Sequence, residues 1–393
     1  MKRIWIGLLT LCLTGLIWPW ATADEEETGT LDLSTGSIVI AESGTYFIQQ
    51  DGETPTKNTI TVQQGVTAAV TLSGVNIEAA SGAAISVAAG AELTLILKGE
   101  NYVTGAAGYA GISVGAYVVG DKDFTYTPGH LIIEGGGSLN AQGGDATSSC
   151  GGGAGIGGDG FGNFNEYGGD FGVVEIQGGT IVATGGAATS TTAGAGAGIG
   201  GGGTVGSNPW TYAGSINIIS GKVVANGGKA FQDTSGAFCG AAGIGAGASS
   251  ASTSSDGNAF TVTISGGEIK AIGAKSAAGI GGSSNGSSGA ITIGGDAVVS
   301  AEGDADDAWG GAGIGGGDNG NSGVIVIEGT ANVTAIGSGA GAGIGSGGGG
   351  SSSSIIIRGN ASVMALGGMR NSESSYGSTA QLLRQALSNH PSG

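Results

Sequence analysis

The sequence predicts an all-β solenoid, a parallel β-helix, and three observations predict it. An Ala-Gly-Ile phrase set in glycine returns seven times, with its isoleucines at Ile112, Ile156, Ile199, Ile244, Ile280, Ile314 and Ile344. Between the copies, short segments alternate apolar and polar residues with period two, the mark of strands that bury one face. Finally, 89 of the 393 residues are glycine; at about 1 kcal/mol each relative to alanine, they exclude a helical solenoid. The gaps between successive isoleucines are 44, 43, 45, 36, 34 and 30 residues. A fixed coil with variable insertions produces that inequality, each coil burying its apolar face against its neighbours.

Residues 1–23 read as a secretory signal peptide: Lys2 and Arg3 precede an apolar run from Ile4 to Trp20, closed by Ala21-Thr22-Ala23. The run is too short and too interrupted by Pro19 for a membrane span. An acidic segment follows over 24–34, and the β-helix is expected over 35–370. Its cleanest unit is Phe260 to Ile280, where Val262, Ile264, Ile269 and Ala271 alternate with Thr261, Thr263, Glu268 and Lys270. Ser265-Gly266-Gly267 turns the corner between the two strands, and Ala-Gly-Ile supplies a third strand. Val174, Ile176, Ile181 and Ala183, then Ile216, Ile218, Val223 and Ala225, repeat the pattern. In Ile293 to Val299, Ile327 to Val333 and Ile357 to Val363 the corner is one residue longer. The repeated isoleucines should stack as an aliphatic ladder. Residues 371–393 form a tail in which Ser378 to Leu387 reads as a short amphipathic helix capping the exposed last coil.

Charge excludes some partners. Loss of Lys2 and Arg3 with the signal peptide takes Lys plus Arg from 12 to 10 against 30 Asp plus Glu, and the net charge from -18 to -20. Nucleic acid and insertion into a membrane are therefore not expected, and the protein reads as secreted, extracellular or associated with a cell surface. Cys150 and Cys239 sit at similar places on coils two apart. Their separation, near 10 Å at about 4.8 Å per coil, exceeds the roughly 7 Å reach of a disulfide unless loops bend.

Several motifs carry no chemistry. Gly153-Ala154-Gly155-Ile156-Gly157-Gly158 fits a dinucleotide fingerprint, but it recurs once per coil with no helix pattern after it. His130, beside Pro128 and Gly129, reads as an exposed turn residue, and His390 lies in the tail. Neither makes a triad, and two cysteines with two histidines show no zinc spacing. A glycosidase pair of carboxylates on neighbouring coils would leave no trace in spacing.

The insertions are more informative. Acids gather there: Asp159, Glu166 and Asp170 in one, and Asp304, Asp306 and Asp307 in another, with Asp318 after the next isoleucine. Oxygen-rich loops suit calcium, and Asp304, Asp306, Asp307 and Asp318 are the candidate ligands, although solvated loop acids would look the same. Aromatics also concentrate there: Phe161, Phe164, Tyr167, Phe171, Trp210, Tyr212, Phe231, Phe238 and Trp309. Stacked along one side, Phe161, Phe164, Tyr167, Trp210, Tyr212 and Trp309 would offer flat faces to the C–H faces of sugar rings. Packing of the loops onto themselves is the alternative use.

Val70-Thr71-Leu72-Ser73-Gly74-Val75-Asn76-Ile77, Ser81 to Val87, Leu93 to Gly105 and Gly129-His130-Leu131-Ile132-Ile133-Glu134-Gly135 resemble the clostridial carbohydrate-binding β-helix family. The Ala-Gly-Ile-Gly repeats are similar to those of bacterial surface proteins. The resemblance covers roughly residues 35 to 370. It implies a right-handed parallel β-helix akin to pectate lyases, binding a cellulose or pectin-like polysaccharide, with calcium as a cofactor. Lyase chemistry would also need a base beside a bound uronate, and the 10 Lys plus Arg left after cleavage are scattered along the coils. The expected function is non-catalytic polysaccharide binding. The alternatives are a surface adhesin or spacer with a protein partner, and a polysaccharide lyase.

Overall fold

The computed structural model describes residues 28–119, 124–160, 169–205, 213–231, 240–249, 260–304 and 310–368. These form a parallel β-helix of three long sheets with eleven, ten and nine strands, called A, B and C below. The chain visits them in the order B, A, C and returns to B one coil further along the axis. An antiparallel hairpin, Tyr117–Val119 with Phe124–Tyr126, is inserted between B and A in one coil. The signal peptide, the tail helix over 378–387, His390 and Cys239 lie outside the described residues.

The isoleucine ladder exists and is longer than the repeat phrase. Ile38, Ile60 and Ile85 pair in register ahead of Ile112, Ile156, Ile199, Ile244, Ile280, Ile314 and Ile344. The two end rungs are partly exposed, whereas the eight between them are buried. Each buried rung contributes about 1.5–3 kcal/mol relative to an exposed one. Sheet A adds two inward rows, such as Val174, Ile216, Val262 and Ile291 with Ile176, Ile218, Ile264 and Ile293. Sheet C adds a branched row through Ile181, Val223, Ile269, Val299 and Val333, and an alanine row through Ala183, Ala225, Ala271, Ala301 and Ala335. The shift from a three-residue to a four-residue corner after Ile293 leaves this register unbroken.

Close approach of backbones explains the glycines around each isoleucine. Gly157, Gly200, Gly245, Gly281 and Gly315 hold φ between 134° and 136°. A Cβ on any of them would lie 1.8 to 2.2 Å from the carbonyl oxygen of the glycine one coil on. On the other side of the isoleucine, a Cβ on Gly111, Gly155, Gly198, Gly243, Gly279 or Gly313 would meet the next coil's glycine carbonyl at 2.6 to 2.8 Å. Gly-Ile-Gly is thus one inward side chain between two backbone contacts. The dinucleotide reading fails for the same reason: each such segment is a two-residue strand. Among the described residues the single helical element is the 3-10 turn Leu33–Thr35.

The solenoid also starts earlier than the acidic composition of 24–34 suggests. Thr28–Asp32 is a strand of sheet A paired with Gly44–Gln49, and Leu33 is fully buried against the first coil. Asn101 occupies an inward position of sheet C, opposite Leu139. It tolerates burial because its Oδ1 accepts from Val75 N at 3.1 Å while its Nδ2 donates to Lys98 O and Ser138 O.

Candidate functional site

Corner lengths divide the surface. From Ile156 onward, three or four residues connect A to C, whereas seven to seventeen connect C to B or B to A. All the variable insertions therefore border the narrow sheet B, on its two flanks. In sequence, Phe161, Phe164, Tyr167, Trp210 and Tyr212 fall between a strand of sheet B and the next strand of sheet A, and Trp309 between a strand of sheet C and the next strand of sheet B. All six side chains lie outside the described residues.

Of the remaining aromatics named in the insertions, Phe171 and Phe231 are described and pack inward, whereas Tyr109 and Tyr126, in the connections of earlier coils, are exposed. Phe171 is fully buried in the central core, with its ring occupying the space over Gly214. Phe231 packs against the buried cluster Ala188, Ala195, Ala241 and Ala248. Phe171, counted among the insertion aromatics, is thus a core residue. Its sequence neighbours Gly172 and Val173 already mark the start of a strand, the signal that could have placed it.

In the insertion at 158–172, the described acids Asp159 and Asp170 serve the backbone. Asp159 accepts from Ala110 N and Ser113 Oγ of the preceding coil, each at 2.8 Å. Burial pushes its carboxyl up, and those two donors oppose the rise. Asp170 accepts from Ala213 N of the following coil at 2.7 Å. Burial pushes its carboxyl up to about 6, against the pull of Ala213 N–H and the Tyr117 hydroxyl. Asp145 likewise accepts from Ala187 N at 2.8 Å. These carboxylates staple one coil to the next.

Of the candidate calcium ligands, Asp304 and Asp318 are described, while Asp306 and Asp307 lie outside the described residues. Asp318 is buried, its Oδ1 accepting from Gly310 N at 3.3 Å and its Oδ2 from Asn319 Nδ2 at 2.8 Å. Among the described residues, no three His, Cys, Asp or Glu side chains gather where a metal ion could sit. Asp318 thus takes one backbone and one side-chain donor on its two carboxylate oxygens.

His130 is a strand residue rather than a turn residue. It opens His130–Gly135 on the outer face of sheet A, opposite Glu92, with Nδ1 3.7 Å from Glu92 Oε2. Cys150 carries a free thiol beside Thr147 Oγ1 at 3.1 Å. Among the described residues, no helix is long and apolar enough to cross a membrane.

The fold and its divided surface define a parallel β-helix with one invariant edge and one variable face. Comparison with protein families, with characterised proteins and with solved structures returns no match to this chain.

Proposed function

We propose that the protein is a secreted, non-catalytic carbohydrate-binding β-helix whose ligand, a cell-wall polysaccharide, lies along the insertion-bearing face around sheet B. The observation that carries this reading is the confinement of long corners to the two flanks of sheet B, while the third corner never exceeds four residues. A rigid scaffold that concentrates its variation, its aromatics and its loop acids along one axial face is arranged to meet an extended ligand. Calcium bridging from Asp304, Asp306 and Asp307 is part of the proposal for anionic polymers. A second reading, an adhesin or spacer whose insertions pack onto themselves, is favoured by the inward packing of Phe171 and Phe231.

The test incubates the mature protein with insoluble cellulose, pectin, xylan and chitin, with and without a calcium chelator, and assays bound protein and released sugar together. Binding without release supports the proposal, and loss of binding with the chelator supports the calcium bridge. Released unsaturated sugar would convert the protein to a lyase. Failure to bind any polymer would leave the adhesin. Replacing Trp210, Tyr212 and Trp309 by alanine separates the flanks, since each replaced platform ring should cost about 0.5–1.5 kcal/mol of affinity.

A further inference from the structure

Away from the insertions, the outer face of sheet C carries a depression of about 370 Å³ across four successive coils. That volume lies within the range of small-ligand sites. Two parallel rows of outward side chains line it. Lys222, Glu268, Val298 and Asn332 form one, and Val224, Lys270, Ser300 and Thr334 the other, each residue paired in register with the next. Both rows run along the axis at about 4.8 Å per coil.

Three properties of this groove select its ligand. Its charges cancel: Lys222 Nζ lies 3.2 Å from Glu268 Oε1, and Lys270 Nζ lies 4.0 Å from Glu302 Oε1, so each lysine has a glutamate. Ser300 Oγ donates to the same Glu302 oxygen at 3.2 Å. A polyanion finds no surplus cation here, on a protein whose full-length net charge is already -18. Second, the strands Lys222–Asn226, Glu268–Ile272 and Val298–Glu302 each pair on both sides, so their backbones cannot accept an added peptide strand. Recognition must go through side chains. Third, those side chains combine hydrogen-bonding groups, Asn332, Ser300 and Thr334, with the apolar surfaces of Val224 and Val298. Hydroxyls and the C–H faces of a sugar ring need that mixture.

We infer that the outer face of sheet C is a second binding site, taking an uncharged glycan chain along the solenoid axis with successive sugars on successive coils. This inference rests on the carbohydrate reading above but places a ligand on a different face and fixes its charge.

Native affinity electrophoresis in gels holding hydroxyethylcellulose, glucomannan, arabinoxylan or polygalacturonate tests it, with EDTA present and at low and high salt. At least one neutral polymer should retard the wild-type protein, insensitive to EDTA and to salt, while polygalacturonate should not under EDTA. Val224→Glu with Ser300→Glu places two charges in the groove and should weaken that retardation by about tenfold or more. Thr263→Glu with Thr292→Glu, on the outer face of sheet A in neighbouring coils, should leave it unchanged. Thermal melts confirm that both variants fold, and Asn332→Ala with Thr334→Ala is the milder replacement if the first pair does not. Equal retardation of wild type and groove variants would overturn this site while leaving carbohydrate binding in place. Retardation confined to polygalacturonate would overturn the neutral-ligand assignment. Retardation by no polymer would overturn both this inference and the proposed function.

Discussion

Substitution of Gly200 by alanine tests the reading of the repeat phrase most directly. Its φ is 134°, and the added Cβ would lie 2.0 Å from the carbonyl oxygen of Gly245. The backbone conformation alone costs about 1–3 kcal/mol. Relieving the overlap by separating coils adds about 1–3 kcal/mol. Together they predict a loss of about 2–6 kcal/mol. Two controls divide that sum. Gly74 holds φ 65° with open space around its Cβ position, so Gly74→Ala carries the backbone cost alone, about 1–2 kcal/mol. Gly136 has open space and no positive φ, so Gly136→Ala should change stability by less than about 0.5 kcal/mol. Urea unfolding followed by circular dichroism gives the order, and amide exchange should show protection lost first in the coils of Ile199 and Ile244. If Gly200→Ala unfolds no earlier than Gly74→Ala, the coils do not approach each other as closely as described, and the reason given for the repeat fails.

Asp170 makes stability depend on pH. Its carboxyl titrates at about 6 in the fold against 3.8 ordinarily, so between those values the native state holds a proton that the unfolded chain releases. Through Asp170, stability should therefore fall as pH rises from about 4 to about 6, by at most about 3 kcal/mol, and Asp170→Asn should reduce the slope of urea midpoints taken across the range, the buried Asp159 carboxyl contributing a slope of the same sign. Phe171→Ala should cost about 3–5 kcal/mol by thermal or urea melting, as for a core ring; a variant that melts like wild type but binds glycan less tightly would restore Phe171 to the surface. Asn319 holds φ 56° and donates from Nδ2 to Asn285 Oδ1 at 3.2 Å. Asn319→Ala should lower the melting midpoint by the equivalent of about 1–2 kcal/mol, and Asn319→Gly by less.

Most of the fold was legible because a parallel β-helix repeats its inward residues in sequence. Val262, Ile264, Ile269, Ala271 and Ile280 could be assigned to a buried face from alternation and recurrence alone. The coils at Ile38, Ile60 and Ile85 lack the repeat phrase, since their sheet B strands read Ile-Val-Ile, Ile-Thr-Val and Ile-Ser-Val, without flanking glycine. Their three-residue strands are set by alternation, not by the close backbone contacts that impose Gly-Ile-Gly. The site was less legible. Asp159 and Asp170 look like loop acids in sequence, because their partners are backbone amides on other coils, 49 and 43 residues away. The sheet C groove arises from residues such as Lys222, Lys270 and Asn332, each ordinary in its own strand. Only stacking makes them a surface.

Hydrogen bonds between coils run along the axis, so the three sheets set how this molecule responds to force. Tension between its ends loads the bonds of a terminal coil before those of the next, and the chain yields by unspooling. With 22 to 45 residues from one rung of the isoleucine ladder to the next, each coil releases roughly 75 to 150 Å of contour when it lets go. Pulled at its two ends, the solenoid would lengthen many times over in discrete steps, one coil at a time.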